Sequence, residues 1–211
     1  MPEPAHEILC FGDSNTWGYD PRTAERYPPE VRWPSVLARE LGSSAHVIAE
    51  GCSGRTTVWD DPIEGNKSGL RYLVPCLESH KPLDLVVLLL GTNDLKKRFS
   101  LSAYDIANGA GRLVDAIGAS GSGRGGGAPR VLLLAPPPTG SLTDFAEMFE
   151  GAGEKSQKFA HHFRRVAEER GCAFLDAGQA VASSEVDGVH LDPEAHQALG
   201  LAVAAKVRSL L

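Results

Sequence analysis

Leu85-Val86-Val87-Leu88-Leu89-Leu90 is the longest apolar run of the chain, and every residue in it is hydrophobic. A strand with one face in water alternates polar and apolar residues, whereas a strand covered on both faces of a parallel sheet does not. The run is also far too short to span a bilayer. It therefore predicts a central strand of a parallel sheet with helices on both sides.

Other strand-like and helical stretches alternate around this run. Strands are predicted at Ile8–Phe11, His46–Glu50, Leu83–Leu90, Arg130–Ala135 and Cys172–Asp176. Helices are predicted at Trp33–Leu41, Leu70–Ser79, Ala103–Ile117, Glu154–Arg170 and from Asp192 to the C-terminus. Strands that alternate with helices form parallel sheets covered on both faces. We therefore expect an α/β protein, a three-layer α/β/α sandwich whose five-stranded parallel sheet has the flavodoxin-like strand order.

Composition limits the class of protein and its partners. The 211 residues suit one domain spanning residues 1–211. The net charge of −6 argues against nucleic acid or an anionic membrane as a partner. Met1–Glu7 lacks the basic and apolar regions of a secretory signal, so we expect a cytoplasmic location. The four cysteines show no CxxC spacing, which favours free thiols over disulfides or a zinc site.

Polar turn motifs follow the first three predicted strands. They are Gly12-Asp13-Ser14-Asn15, Ser53-Gly54-Arg55 and Gly91-Thr92-Asn93-Asp94. The carboxyl ends of parallel strands meet at one edge of a sheet, where ligands bind. Ser14 is therefore a candidate nucleophile, provided that a base and an oxyanion hole lie at the same edge. The Ser14 turn taken alone is equally well explained as a helix cap, and for the other two turns a chain reversal or cap is the more common explanation.

Asp187 precedes His190 by three residues near the C-terminus. That spacing lets the carboxylate accept a hydrogen bond from Nδ1 while Nε2 faces outward, as a general base requires. A metal site formed by these two residues with His196 is disfavoured, because no further ligand cluster follows. His196 itself is interpreted as a surface or helix residue. The coincidence of four such motifs outweighs the separate explanation of each as a turn.

In order along the chain, the four motifs resemble the signature blocks of the SGNH (GDSL-type) hydrolases. Further segments, including Arg55-Thr56-Thr57 and Asp60-Asp61-Pro62, are similar to the bacterial arylesterase/acyltransferase branch of that family. The resemblance implies Ser14 as nucleophile, His190 as base and Asp187 as the acid that orients it. It also implies an oxyanion hole formed by the backbone N–H groups of Ser14 and Gly54 and the side-chain amide of Asn93. Asn15 departs from the signature, which has leucine there.

These inferences predict a serine esterase that uses no cofactor and no metal. We expect it to hydrolyse short-chain acyl and aryl esters through an acyl-enzyme, with transfer to an alcohol or peroxide as a side activity, and to form a homo-oligomer. Carbohydrate O-deacetylase, thioesterase or lysophospholipase activity is the alternative within the family. A non-catalytic flavodoxin-like binding module is the alternative outside it.

The neighbourhood of the nucleophile suggests which residues form the substrate pocket. Two long connections, residues Asp20–Arg32 and Pro136–Gly153, follow strand ends and are expected to overhang the site, either as pocket walls or as oligomer contacts. Trp59 is interpreted either as a further wall or as a packing residue. The predicted pocket residues are Asp13, Asn15, Trp17, Arg55 and Thr92.

Overall fold

Five parallel strands form the single sheet of the computed structural model, which describes residues 5–211. The strands are β1 (His6–Gly12), β2 (Ala45–Gly51), β3 (Leu85–Leu89), β4 (Arg130–Ala135) and β5 (Ala173–Asp176). Their order is β2-β1-β3-β4-β5, and every neighbouring pair is parallel. The predicted flavodoxin-like order is confirmed.

Seven α-helices accompany the strands within residues 5–211. They are α1 (Ser14–Trp17), α2 (Trp33–Leu41), α3 (Gly69–His80), α4 (Ala103–Gly118), α5 (Ala152–Ser156), α6 (Phe159–Arg170) and α7 (Pro193–Arg208). Helices α2 and α7 pack together on one face of the sheet, and α3, α4 and α6 cover the other. This confirms the three-layer sandwich. None of these helices has the length and hydropathy needed to cross a bilayer.

Strand β3 is buried on both faces, as its unbroken apolar sequence predicts. Leu85 and Val87 contribute to the core under α2 and α7, while Val86 and Leu88 contribute to the core under α3, α4 and α6. All four side chains are fully buried. Burial of one such side chain is worth about 1.5–3 kcal/mol, so this strand anchors both layers.

The prediction of one helix over Glu154–Arg170 is wrong, because the chain forms two helices with a turn at residues 157–158. The hydroxyl of Ser156 accepts a hydrogen bond from Thr139 N–H at 3.0 Å and donates one to the Gly153 carbonyl at 3.0 Å. These bonds hold the short helix α5 against the chain that leaves β4. Tertiary contacts thus interrupt a stretch whose apolar spacing is continuous.

His196 lies on α7, as predicted, but it is completely buried rather than at the surface. Its Nδ1 accepts a hydrogen bond from the backbone N–H of Trp33 at 3.3 Å, which links the first turn of α7 to the start of α2. Burial, together with the charges of His190 and Arg32, lowers the pKa of His196 to about 4. The imidazole is therefore neutral at pH 7 and acts in packing.

Candidate active site

The turn after β1 fixes Ser14 at the carboxyl edge of the sheet. Ser14 is the first residue of α1, and Asp13 caps this helix by accepting a hydrogen bond from Asn15 N–H at 3.0 Å. Gly18 ends the helix with φ of 93° and donates its N–H to the Ser14 carbonyl at 2.8 Å. Only a small fraction of Ser14 is exposed, about 5%. The serine hydroxyl is thus held on a short, rigid turn.

The loop before α7 brings Asp187 and His190 to the same serine. Asp187 Oδ1 accepts hydrogen bonds from the backbone N–H groups of Val189 at 2.8 Å and His190 at 2.9 Å. The carboxylate therefore stabilises the conformation of the loop that contains it. Its Oδ2 lies 2.6 Å from His190 Nδ1, and His190 Nε2 lies 3.0 Å from Ser14 Oγ. Hydroxyl, imidazole and carboxylate therefore stand in one hydrogen-bonded row.

Electrostatics keep Asp187 in its ionised form. Burial acts to raise the pKa of this carboxyl, but hydrogen bonds from the His190 side chain and from two backbone N–H groups outweigh it, and the net pKa lies below its ordinary value. A carboxylate beside Nδ1 fixes which ring nitrogen carries the proton and stabilises the imidazolium when it forms. Nε2 is left free to accept a proton from Ser14.

Gly54 and Asn93 line the same cavity as Ser14 and His190. Gly54 has φ of 82°, a conformation that glycine adopts without strain. Asn93 Nδ2 donates to the Arg55 carbonyl at 3.2 Å, which orients the amide. Within residues 5–211, neither the Ser14 N–H nor the Gly54 N–H is hydrogen-bonded to another protein group. These two donors and Nδ2 can therefore serve a negatively charged oxygen.

A cavity of about 160 Å³ opens in front of Ser14, with one apolar and one polar side. Its apolar wall consists of Phe145, Met148 and Phe149, and its polar wall includes Glu64 and Lys96. The volume equals that of roughly five water molecules in the liquid. The space beside the nucleophile thus suits a small acyl group.

The apolar wall belongs to the Pro136–Gly153 connection, so the prediction that this segment overhangs the site is confirmed. The connection also rests on the loop that holds His190. Gly140 N–H donates to the Gly188 carbonyl at 2.8 Å, and the Thr143 hydroxyl donates to the Val186 carbonyl at 2.8 Å. One segment therefore both lines the cavity and supports the His190 loop.

The other connection, residues Asp20–Arg32, does not line the cavity. Tyr19, which immediately precedes it, does so, and its ring packs on the His190 imidazole with a centroid distance of 4.1 Å. The segment Asp20–Arg32 therefore supplies no residue to this cavity, and its alternative role in oligomer contacts stays a prediction. Trp59 is also away from the cavity and 40% exposed.

The predicted pocket residues are correctly placed near the site, but none of them lines the cavity. Two of them are held by a bond or contact of their own. Asn15 Nδ2 donates to the Val189 carbonyl at 3.3 Å, and the Trp17 ring is covered by Arg26. The predicted pocket role stays a prediction for the full set: Asp13, Asn15, Trp17, Arg55 and Thr92.

Arg55 ties the turn after β2 to the end of β1. Its guanidinium donates to the Gly12 carbonyl at 2.8 Å and to the Glu50 carbonyl, and it stacks on the Phe11 ring at 4.2 Å. The side chain is buried, and this burial lowers its pKa from the ordinary arginine value. Arg55 thereby fixes the position of the neighbouring Gly54 relative to Ser14.

Two buried carboxyl groups, Asp13 and Asp94, lie beneath the site. Asp94 accepts hydrogen bonds from the N–H, at 3.0 Å, and from the hydroxyl of Thr57, and so joins the turns after β3 and β2. Burial raises the pKa of Asp94 to about 7, against the opposing effect of these bonds. Burial likewise raises the pKa of Asp13 to about 6. Both groups therefore titrate above the usual range of carboxyl groups.

Several cavity residues were missed by the sequence interpretation. Phe145, Met148 and Phe149 are spaced as one helical face within an otherwise polar segment, a signal that was available. No sequence signal indicated a role for Lys96 in the cavity, since a lysine is normally exposed. Here it is 3% exposed, and its Nζ lies 2.5 Å from Glu64 Oε1 and 3.5 Å from Asp61 Oδ2.

One group of metal-ligand atoms occurs in the part of the chain that the structure describes. Side-chain atoms of Glu50, Cys76 and His80 lie within 4.8 Å of one another, away from the cavity. His80 is already hydrogen-bonded to Glu50 at 2.9 Å, and the charge of the buried Arg55 acts on both Glu50 and Cys76. A cation at this position would be opposed by that guanidinium, so the group fits a metal poorly.

A larger depression of about 680 Å³ lies at the opposite edge of the sheet, where β4 and β5 begin. Its rim includes Asp115 and Arg170, which form an ion pair at 2.9 Å. Among its lining residues there is no serine or histidine. The smaller cavity at Ser14, and not this depression, therefore contains the groups that can perform acyl chemistry.

Comparison with known proteins agrees with this geometry. The model of the GDSL-like lipase/acylhydrolase family matches residues 10–198. The chain belongs to this family. The fold of this GDSL-like protein is similar to that of the M. smegmatis aryl esterase, with 43% sequence identity and a TM-score of 0.94 over 98% of this chain and 100% of that one.

A second solved structure is similar to this GDSL-like protein. It is a carbohydrate acetylesterase from Sinorhizobium meliloti, with 42% identity and a TM-score of 0.94 over 98% of this chain and 100% of that one. No curated protein matches the chain. The resemblance inferred from the four motifs and the α/β fold expected from it are thus both confirmed.

Proposed function

We propose that this protein is a serine esterase that cleaves small carboxylic esters through an acyl-enzyme. One observation carries the proposal, the continuous row from Ser14 Oγ through His190 to Asp187, at 3.0 and 2.6 Å. A serine hydroxyl at its ordinary pKa is a weak nucleophile, and an adjacent oriented imidazole activates it. Membership in the acylhydrolase family supports the same reading.

In the first half of the reaction, Ser14 Oγ attacks the ester carbonyl carbon while His190 Nε2 takes the hydroxyl proton. The carbonyl oxygen becomes an oxyanion that accepts hydrogen bonds from Ser14 N–H, Gly54 N–H and Asn93 Nδ2. The tetrahedral intermediate then collapses, the bond to the alkoxy oxygen breaks, and the alcohol leaves with the proton from His190. Asp187 remains ionised and stabilises the imidazolium throughout.

In the second half, an acceptor takes the acyl group. Water loses a proton to His190 and attacks the acyl-enzyme, which gives the carboxylic acid and regenerates Ser14. An alcohol or a peroxide that reaches the same position gives an ester or a peracid instead. The apolar wall of Phe145, Met148 and Phe149 favours acceptors less polar than water, so we include acyl transfer as a side activity.

The cavity dimensions support a short acyl chain. About 160 Å³ accommodates an acetyl or propionyl group beside Ser14, while an aryl leaving group extends outward past the apolar wall. The M. smegmatis relative is an aryl esterase, which agrees with this substrate class. We therefore propose aryl and small alkyl esters of short acids as substrates.

Carbohydrate acetyl esters are the second candidate. The S. meliloti relative is named a carbohydrate acetylesterase, and the polar wall offers hydroxyl groups an acceptor at Glu64 and a donor at Lys96. The acyl group is small in both cases, so the two proposals differ only in the alcohol that leaves.

Acyl-chain profiling tests the proposal. Hydrolysis of p-nitrophenyl esters from acetate to octanoate is measured with and without an added alcohol, and acetylated sugars are assayed in parallel. We expect turnover to fall steeply beyond short chains, and Ser14→Ala to lose both hydrolysis and labelling by a fluorophosphonate. Ser79→Ala, a change at a serine on the outer side of α3, is the matched control. Unchanged hydrolysis by Ser14→Ala would refute the nucleophile.

A further inference from the structure

Lys67 lies beside the turn that carries Gly54, and its ammonium has an unusual partner. Within residues 5–211 it forms no salt bridge. Its Nζ instead donates to the Ser53 carbonyl oxygen at 2.9 Å. The Lys67 carbonyl accepts the Thr56 N–H at 3.0 Å, which holds the lysine backbone against the same turn. The ammonium is thus directed at one particular peptide group.

That peptide group is the one whose N–H belongs to Gly54. The Ser53 carbonyl and the Gly54 N–H are parts of one planar trans unit, and in such a unit C=O and N–H point in opposite directions. Fixing the oxygen on the Lys67 side therefore aims the N–H at the other side. Gly54 lines the cavity in front of Ser14 whereas Lys67 does not, so we infer that the N–H faces the cavity.

Gly54 makes such an anchor necessary. A glycine restricts its backbone less than any other residue, so the peptide before it can rotate at little cost. The stem of Lys67 runs beside Gly54, with Cε only 3.2 Å from the position that a Cβ would take. The lysine thus contacts the glycine and bonds to its peptide oxygen at the same time.

We propose that Lys67 is a positioning residue for the oxyanion donor of Gly54. The inference rests on the proposed esterase function and deepens it. The ammonium holds the Ser53–Gly54 peptide in the orientation that presents N–H to the developing oxyanion. A charged donor on the carbonyl oxygen also polarises the peptide, which makes the N–H at its other end a stronger donor. Both effects stabilise the transition state more than the bound substrate, because negative charge forms on the substrate oxygen during the reaction.

Substitution of Lys67 tests this role. Lys67→Met keeps a stem of similar length and removes the ammonium, and Lys67→Arg restores a charged donor. The turnover kcat and KM for an aryl acetate are measured, together with the affinity for an aryl trifluoromethyl ketone, whose adduct with Ser14 carries an oxyanion. Lys158→Met is the control, because Lys158 pairs with Glu154 at 3.1 Å on the exposed surface.

We expect Lys67→Met to lower kcat roughly tenfold, less than the ~10²–10³-fold loss on removing an oxyanion donor outright. The affinity for the ketone should fall by the same factor while KM changes little, because only the charged species uses the donor. Lys67→Arg should recover most of both losses, and Lys158→Met should behave as the unmodified protein.

Other outcomes would overturn the role of Lys67. They are an unchanged kcat in Lys67→Met, or a lower kcat with undiminished affinity for the ketone. If Lys67→Met fails to fold, Lys67→Gln keeps a neutral donor and is expected to give an intermediate loss. Ser14→Ala separates the two proposals. Activity that survives in Ser14→Ala would refute the proposed function. Wild-type turnover in Lys67→Met alone would refute only the role of the lysine.

Discussion

Replacement of Gly54 by alanine should destabilise this protein for two reasons that can be measured separately. The first is backbone strain, because φ at this position is 82°. Left-handed backbone costs a residue with a Cβ about 1–2 kcal/mol. The second is a contact, because the new Cβ would lie 2.4 Å from Glu64 Oε2. That carboxylate must move away.

The movement of Glu64 has its own cost. Its other oxygen lies 2.5 Å from the Nζ of Lys96, which is buried and would then depend on Asp61 at 3.5 Å. The Glu64 side chain is 31% exposed, so solvent screens the pair and its loss costs about 1 kcal/mol. We expect Gly54→Ala to lower the free energy of unfolding by about 2–3 kcal/mol in total.

Urea denaturation followed by circular dichroism measures this loss, and thermal melting should show a midpoint lower by roughly 4–12 °C. The same substitution in a Glu64→Ala background should cost about 1 kcal/mol less, because the contact is already absent. A Gly54→Ala protein as stable as the original would refute the strain argument. Equal costs in both backgrounds would refute the contact.

Three further changes test other parts of the site. Asn93→Ala should reduce kcat by ~10²–10³ without loss of the folded circular dichroism spectrum, and a rate within twofold of the original would contradict its oxyanion role. The pKa of Asp187 is lowered on folding, so its stabilisation is present above its unfolded pKa of about 3.9 and is lost as pH falls through the folded pKa. Urea unfolding of Asp187→Asn should therefore show a deficit at pH 7 that shrinks below pH 4, and a deficit independent of pH would count against this linkage. Phe145→Ala should extend the accepted acyl chain in p-nitrophenyl ester profiles, because it removes a half-buried ring from the apolar side of the cavity. An unchanged chain-length profile would mean that Phe145 does not limit the cavity.

The sheet and the hydrogen-bonded row of Ser14, His190 and Asp187 could be predicted from the sequence because local signals specify both. An unbroken apolar run such as Leu85–Leu90 is typical of a strand that is covered by helices on both faces of a parallel sheet. Polar residues directly after such strands meet at one edge whatever the details of the helices. The spacing of Asp187 and His190 places carboxylate and imidazole on one turn of chain. Each of these inferences needs only a few consecutive residues.

The substrate cavity could not be predicted in this way, because residues from distant parts of the chain form it. Asn15 and Trp17 are next to Ser14 in sequence, yet Asn15 bonds to the Val189 carbonyl and the Trp17 ring packs against Arg26. Lys96 can be buried only because Glu64 and Asp61 reach it from a different loop. Sequence neighbourhood was therefore a poor guide to the side chains that a substrate would meet.

The support that the Pro136–Gly153 connection gives to the His190 loop restricts how this protein can change its selectivity. A Cβ at Gly188 would lie 2.5 Å from the Ser141 carbonyl oxygen, so the two segments fit backbone against backbone. Insertions or deletions in the connection would shift Asp187 and His190 along with the wall. Selection for new acyl chains should therefore succeed through exchange of single side chains such as Phe145 and Met148, and fail through transplanted loops of other lengths.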